Sequence, residues 1–397
     1  MEKKTHVLVL THYYPPEVNA PANRIFDHVS IWTNNHLEIT VITNNPSHPH
    51  GRLYEGFNNE FSDSKSKEIR LIRLKTYLAP NAGFYKRIIN YLNYMWRAII
   101  KGRQIKNVDF VFATSPQFFC GLGGAILSKV MNKPFVIEIR DIWPESIIAL
   151  GMLKNKNIIG LLKFLEKWMI NSAYRIIAVT KGIEKHISSL TNKKILYIPN
   201  GVRIKENREI TFNNEQKDKM VFAYIGTLGI SQNVNLIINV ARNLLSNNNV
   251  HFFIVGDGSE RDNILQSAKD LNNVKFFPLL SRSSILKLYD SIDVGIVTLK
   301  NNTLFKGALP SKMFEYLAMG KPVVLNAPEG EASKLLVNHH CGIVTKPDDI
   351  DQFSSALIKY ANQADLYNNH SYNGRILVNK YFNRNKLALE LMEVFHA

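Results

Sequence analysis

The chain has 397 residues, 45% of them apolar, and a formal net charge of +16; that length suits two cores of about 200 residues better than one. No apolar run approaches the roughly 20 residues that span a bilayer, so the sequence reads as globular and nothing in it is expected to cross a membrane. Cys120 and Cys341 stand far apart and offer neither a disulfide framework nor a metal-ligand spacing, which points to a reducing, cytoplasmic setting.

The opening "MEKKTHVLVLTHYYPP" has too short an apolar run for a signal-peptide core. Charge divides unevenly along the chain: residues 1–200 carry 27 Lys+Arg against 14 Asp+Glu, and residues 201–397 carry 22 against 19. A basic excess confined to one half implies an anionic partner for that half. Nucleic acid is not expected, because no recognisable reading module accompanies the charge.

In chain order, β-branched and aromatic runs predict strands at 6–11, 37–43, 108–114, 134–140, 174–180 and 194–200, most of them separated by longer amphipathic stretches. The second half repeats the plan at 220–226, 250–256, 274–279, 293–299, 321–326 and 341–346. Continuous apolar strands alternating with helices predict parallel sheets covered on both faces. The reading is α/β, two doubly wound Rossmann-like domains. Their join is expected near "IPNGVRIKENRE" (198–209), where Pro, Gly and charge break the pattern. The boundaries are 1–203, 204–380 and a C-terminal helix, 381–397, that packs back on the first domain. Ligands of such sheets bind at the carboxyl ends of the strands, so a cleft between facing domains is expected.

Glycines punctuate two strand ends of the second half. Gly226 follows "AYI" with Thr227 beside it, and Gly256 and Gly258 follow "FIV" before a helix opens. Such turns bring backbone N–H groups close to a ligand and favour negative charge at the helix start.

"YIPNGV", "YIGTLG", "VGDGSER", "LYDSIDVGIVTL" and "PSKMFEYLAMGKPVV" stand in the order found in family-4 glycosyltransferases, which the chain resembles over nearly its full length. "YYPPEVNAPANRIFDH" (13–28) and "EIRDIWPESIIALG" (138–151) resemble the bacterial subgroup that builds O-antigen, capsule or colanic-acid repeat units, including the L-fucosamine (FucNAc) transferases. The resemblance implies a GT-B fold, a nucleotide-sugar donor on the C-terminal domain, an acceptor on the N-terminal domain, and retaining transfer without cofactor or essential metal. Glu315 would accept the ribose hydroxyls of the donor nucleotide, following Ser311 and Lys312 on one helix. The family pattern places a second glutamate ahead of it, where this chain has Gly307, and a basic "GRLxxxKG" loop where this chain reads "GTLGISQNV". Lys306, Gly330 and Glu331 are the replacements for the missing glutamate. Lys312 and then Arg282 replace the missing cations that neutralise the leaving diphosphate. The Asp349–Asp351 pair reads as a helix cap rather than a metal site.

In the first half, Arg140 and Asp141 end a buried strand and are expected at the chemistry, with Arg140 on a phosphate. The Pro-stiffened loop after the first strand sets Glu17 as a general base, and Asn23 and Arg24 against the acceptor. "FYKRIINYLNYMWRAIIKGRQIK" (84–106) reads as an interfacial helix. Lys86, Arg87, Trp96, Arg97 and Lys101 would meet an anionic membrane surface, while 161–175 reads as a core helix. The sequence is thus read as an enzyme moving a sugar, an N-acetylated 6-deoxyhexosamine in the nearest resemblance, from a UDP-linked donor to a polyprenyl-diphosphate-linked glycan. It would work as a peripheral protein on the inner face of the cytoplasmic membrane. The rivals are a UDP-sugar 2-epimerase and a noncatalytic nucleotide-sugar-binding protein.

Overall fold

The computed structural model describes residues 4–66, 68–80, 84–149, 151–204 and 219–396, the side chains of Phe84, Ala149, Arg282 and Leu304 excepted. The chain forms two compact units, residues 1–200 with 384–397 and residues 201–383.

The first unit is built on a sheet of β1 (His6–Leu10), β2 (Glu38–Asn44), β3 (Ser62–Ser66), β4 (Ile69–Leu74), β5 (Phe110–Thr114), β6 (Phe135–Ile139), β7 (Arg175–Ala178) and β8 (Ile195–Tyr197). The order is β3-β4-β2-β1-β5-β6-β7-β8, parallel except for β3. Alternation along β1 sends Leu8 and Leu10 to one face and Val7 and Val9 to the other, so both faces carry cores. On one face pack α2 (Phe84–Gly102), α3 (Phe118–Met131), α5 (Lys156–Ser172) and α6 (Lys181–Ser188); α1 (Ala20–Asn34) packs on the other, and α4 (Glu145–Ala149) follows β6. Helix α1 starts where Asn19 accepts the Ala22 N–H at 2.9 Å, with a proline in the first turn. Helix α3 tolerates Gly121 and Gly124 because a Cβ at either would crowd Met169 and Ile137, or Ala113 and Phe135. Close approach to β5 and β6 offsets their cost of about 1 kcal/mol each relative to alanine.

The hairpin β3–β4 is absent from the strands expected on sequence. Its "SDSKS" strand is wholly exposed and polar, an edge strand pinned by Arg70 donating to both Asp63 oxygens at 2.9 and 2.7 Å.

The second unit holds β9 (Met220–Ile225), β10 (Val250–Val255), β11 (Val274–Phe277), β12 (Val294–Thr298), β13 (Val323–Asn326) and β14 (Gly342–Thr345). They form an all-parallel sheet of order β11-β10-β9-β12-β13-β14. Its helices are α7 (Val234–Asn243), α8 (Arg261–Ser267), α9 (Arg282–Leu288), α10 (Ser311–Ala318), α11 (Glu331–Asn338), α12 (Ile350–Asn362) and α13 (Ala364–Tyr381). The strand order reverses between β9 and β12, the place where open α/β sheets bind ligands.

The chain then returns to the first unit as α14 (Arg384–Met392), lying on α1. Trp32 Nε1 donates to the Ala388 carbonyl at 2.8 Å, and the Arg384 guanidinium reaches Asp27 at 2.6 Å, both fully buried contacts. Among the described residues, no helix is long and apolar enough to cross a membrane.

Candidate functional site

In the second unit, the reversal point is occupied by two glycine loops and one helix. A Cβ at Gly256 (φ 143°) would overlap the Gly226 carbonyl, and one at Gly258 (φ 158°) the Leu228 carbonyl. The loops after β9 and β10 therefore lie backbone on backbone, tied by Gly226 N–H to Val255 O and Leu228 N–H to Asp257 O, both 2.9 Å. These glycines serve the close approach of one loop to the other. Gly226 itself faces Lys312, whose Nζ would sit 2.8 Å from a Cβ there.

Helix α10 is fixed from beneath by Tyr316, fully buried, whose hydroxyl donates to the Ala223 carbonyl and accepts the Ile225 N–H, both at 2.8 Å. That anchor holds Lys312 and Glu315, one turn apart, over the end of β9. Lys312 Nζ lies 3.7 Å from the centre of the Tyr224 ring. Burial pulls the Lys312 ammonium down to about 7, with Glu315 acting the other way. Tyr289, buried, donates to Glu315 Oε2 at 3.4 Å. Ser311 opens the helix half-buried, and Thr227 is exposed, its carbonyl accepting from the Tyr224 hydroxyl at 2.6 Å.

The remaining donor-side residues are less concentrated. The Gly330 N–H donates to Ser333 Oγ at 2.8 Å. Gly330 lacks a side chain so that the Lys306 carbonyl can press against it, which brings the exposed Lys306 and half-buried Glu331 into one neighbourhood. Arg282 opens α9, its side chain outside those described. Asp349 caps α12, accepting the Gln352 N–H at 2.8 Å.

In the first unit, Arg24 does not face an acceptor. It is 1% exposed, with Nε donating to Glu138 at 2.7 Å, Nη1 to the Pro199 carbonyl at 2.7 Å and Nη2 to the Ile198 carbonyl at 3.1 Å. Burial opposes charge on Glu138, yet Arg24, Arg140 and the Thr114 hydroxyl outweigh it and hold the carboxyl below its ordinary range. Asn23 is half-buried on α1. Arg140 sits at the end of β6, with Nη2 3.4 Å from Asn200 Oδ1; its Nε and Nη1 are buried without a hydrogen-bond partner among the described residues. Burial, with Arg24 and Arg384 nearby and only Glu138 opposing, pulls it down to about 9. Asp141 is exposed; crowding by the surrounding protein pushes its carboxyl upward, against the Ile142 N–H and Ser146 hydroxyl. Sequence reading missed Glu138, Asp27 and Arg384. A glutamate inside the buried strand "FVIEI" was the one visible signal.

Glu17, 4% exposed, accepts the Ser47 and His48 N–H groups at 3.0 Å each, and burial pushes it up to about 7. On α2, Lys86, Trp96 and Arg97 are exposed. Arg87 and Lys101 depart from the expected outward stripe. Arg87 Nε turns inward to the Tyr91 hydroxyl at 2.9 Å, and Lys101 lies over the Phe61 ring at 4.6 Å. Helix α5 is corrected in the other direction: Leu161 and Phe164, read as core, are exposed, as is Ile158 ahead of that stretch.

Among the described residues, one cluster has metal-ligand character: Glu145, Glu166 and His186, with donor atoms within 4.8 Å of one another. It is closed by ion pairing, His186 to Glu166 at 2.9 Å and Lys163 to Glu145 at 3.2 Å.

The sequence family described as Glycosyltransferase Family 4 matches residues 23–206, and that described as Glycosyl transferases group 1 matches residues 205–376. A Pseudomonas aeruginosa protein named as a glycosyltransferase, WbjE, is 26% identical over 240 residues, 56% of this chain and 59% of its own length. WcaI of Escherichia coli K12, named for colanic acid biosynthesis, is 22% identical over 388 residues, 92% of this chain and 93% of its own. Anabaena HepE, solved with UDP and glucose, superposes with a TM-score of 0.69 at 14% identity, covering 99% of each chain. Two doubly wound units, matched in turn by the two halves of one enzyme class, make the chain a member of glycosyltransferase family 4, with the GT-B fold.

Proposed function

We propose that the protein transfers a sugar from a UDP-linked donor to a polyprenyl-diphosphate-linked glycan in the synthesis of a bacterial surface polysaccharide. The observation that carries this reading is the pairing of Lys312 and Glu315 on α10 at the end of β9. A carboxylate and an ammonium one turn apart suit the two ends of a nucleoside diphosphate, Glu315 accepting ribose hydroxyls and Lys312 meeting the diphosphate. As the glycosidic bond breaks, negative charge grows on the leaving diphosphate, and a cation already in place stabilises it without reorganisation. Arg140 is the corresponding group of the first unit. Among the described residues its buried Nε and Nη1 have no acceptor, and an anionic oxygen would remove a penalty of about 1–3 kcal/mol for each. Asp141 and Glu17 are the carboxylates assigned to the chemistry, and the reaction is assigned as retaining and metal-independent. Lys306 and Glu331 take the part of the absent glutamate at the donor sugar.

The UDP assignment is supported by HepE, solved with UDP and glucose, and the polysaccharide assignment by WcaI. The lipid-linked acceptor is supported by the surface of α2, where Ile89, Trp96 and Ile100 are exposed among Lys86 and Arg97, and by Ile158, Leu161 and Phe164 of α5 beside Lys163 and Lys167. Rings and aliphatic groups interleaved with cations fit an anionic bilayer surface.

The test is nucleotide release from UDP-, GDP- and dTDP-sugars with and without a short-chain polyprenyl-diphosphate N-acetylglucosamine. Acceptor-dependent release from a UDP-sugar is expected. Release that ignores the acceptor, or binding of every donor without release, would overturn the reading.

A further inference from the structure

Glu315 is half-buried on α10, and a glutamate side chain has several torsions of its own, so its direction has to be imposed by neighbours. One neighbour comes from outside the helix. Tyr289 stands on the 3₁₀ turn Tyr289–Ser291 between α9 and β12, is 3% exposed, and donates from its hydroxyl to Glu315 Oε2 at 3.4 Å. Among the described residues that oxygen is the one acceptor the hydroxyl reaches. Burial, with Glu315 and Tyr316 adding to it, raises the phenol well above its ordinary range, so it keeps its proton and is the donor of the pair.

The phenol is itself held. Its ring packs in the core of the second unit with Met313, Phe314 and Tyr316, and meets the Tyr316 ring edge-on, with centres 5.8 Å apart and planes at 79°. Tyr316 is tied by its hydroxyl to the backbone of β9. The 3.4 Å contact is long for an O–H···O bond, but it comes from a close-packed side chain almost closed to water, which has no other partner to turn to. Support thus runs from β9 through two buried tyrosines to one oxygen of the carboxylate.

We propose that Tyr289 is a positioning residue that makes the site select ribonucleoside over 2′-deoxyribonucleoside diphosphates by fixing the direction of the Glu315 carboxylate. This rests on the reading above that Glu315 accepts the ribose hydroxyls. A carboxylate offers two oxygens to a 2′,3′-diol, and each oxygen can accept more than one bond, so the phenol orients the group without using it up. A carboxylate held in the direction that suits two hydroxyls cannot turn to recover the lost bond when one is missing, and a site built to pair a hydroxyl rejects the analogue that lacks it. A carboxylate without that support would turn, and would lose its torsional freedom only on meeting the diol, which narrows the difference between the two sugars. Donors built on 2′-deoxyribose, dTDP-sugars among them, are thereby disfavoured apart from any contact to the base.

The test is calorimetry on the full chain with UDP, 2′-deoxy-UDP and 3′-deoxy-UDP, for the wild type, Tyr289→Phe, Glu315→Gln and the double variant, each checked for retained fold by circular dichroism. The wild type is expected to bind UDP about tenfold or more tightly than either deoxy analogue. Tyr289→Phe, which removes a single oxygen atom, is expected to bring that ratio below about threefold by weakening UDP, with 2′-deoxy-UDP within about twofold of its wild-type affinity, and to add nothing to Glu315→Gln. An equal loss for all three nucleotides, an unchanged ratio in Tyr289→Phe, or additive losses in the double variant would overturn the proposal. So would a wild type that binds all three within about threefold of one another, a result that requires no variant to fold. A ratio flattened by Glu315→Gln and kept by Tyr289→Phe would strike the positioning role alone. A full ratio in Glu315→Gln, or a wild type that binds no nucleotide, would overturn the placement of the donor on α10 and this proposal with it.

Discussion

In the second unit the polar groups of the site stand three residues apart on one helix, while in the first they come from α1, β5, β6, α14 and the segment after β8. The sheets have closely related strand orders, so topology does not explain the contrast. The difference lies in how charge is held. Lys312 and Glu315 line the reversal point of their sheet, set over buried tyrosines. Arg24, Glu138, Arg384 and Asp27 mostly satisfy one another inside the fold, and Arg140 is left with donors unused among the described residues. A site of the first kind is set by a local sequence motif; one of the second kind is set only once distant parts of the chain have met, and its ion pairs are structural parts that hold a functional residue in place.

The contrast breaks hardest at Arg24. Removing one partner of a buried ion pair leaves the other undercompensated, so Arg24→Met is expected to cost about 3–5 kcal/mol, and Arg24→Met with Glu138→Met less, its remaining cost falling on Arg140, which loses the carboxylate opposing its desolvation. Tryptophan fluorescence under urea reads this cleanly, because Trp32, Trp96, Trp143 and Trp168 all lie in the first unit. Equal losses in the single and double variants would show that the pair is not what holds the unit. The Glu138 carboxyl is held below its ordinary pKa, so its contribution is fully present above that ordinary value and lost as pH falls through the lower folded one. The same signal should therefore show the first unit weakening below about pH 4.

At Lys312 the expected effect is smaller and confined to binding. Losing one charge-assisted contact is worth about 1.5–3 kcal/mol, so Lys312→Gln should weaken UDP binding by about tenfold to a hundredfold at neutral pH. The free lysine sits near 7, and a bound diphosphate favours its protonated form. Wild-type affinity should therefore fall as pH rises above 7, with proton uptake on binding seen as a buffer-dependent calorimetric heat. Lys312→Gln should abolish that dependence, and an unchanged pH profile would remove Lys312 from the diphosphate. Smallest of all, Lys86→Gln and Arg97→Gln should each reduce sedimentation with anionic vesicles by about 1 kcal/mol, with no loss on neutral ones.

What could be read from sequence follows the same division. Uninterrupted apolar runs such as "HVLVL" and "VHFFIV" are strands in the structure because their period and turn signals are local. The edge strand "SDSKS" was illegible because its stability comes from pairing with β4 and from Asp63 with Arg70. Helix α5 misled because apolar residues at helical spacing do not say which face is covered; Leu162 and Met169 are buried while Leu161 and Phe164 are not. Lys312 and Glu315 could be singled out as a pair on one helix, whereas Arg384 lies 357 positions from its partner Asp27, and no periodicity carries that distance.

The most direct test of the account is calorimetry of UDP binding by the wild-type protein and by Glu315→Ala, checked for retained fold. Loss of the ribose contacts predicts an affinity at least 100-fold weaker, on the order of two charge-assisted hydrogen bonds. Unchanged affinity would contradict the placement of the nucleotide on α10, and with it the account of how the second unit works.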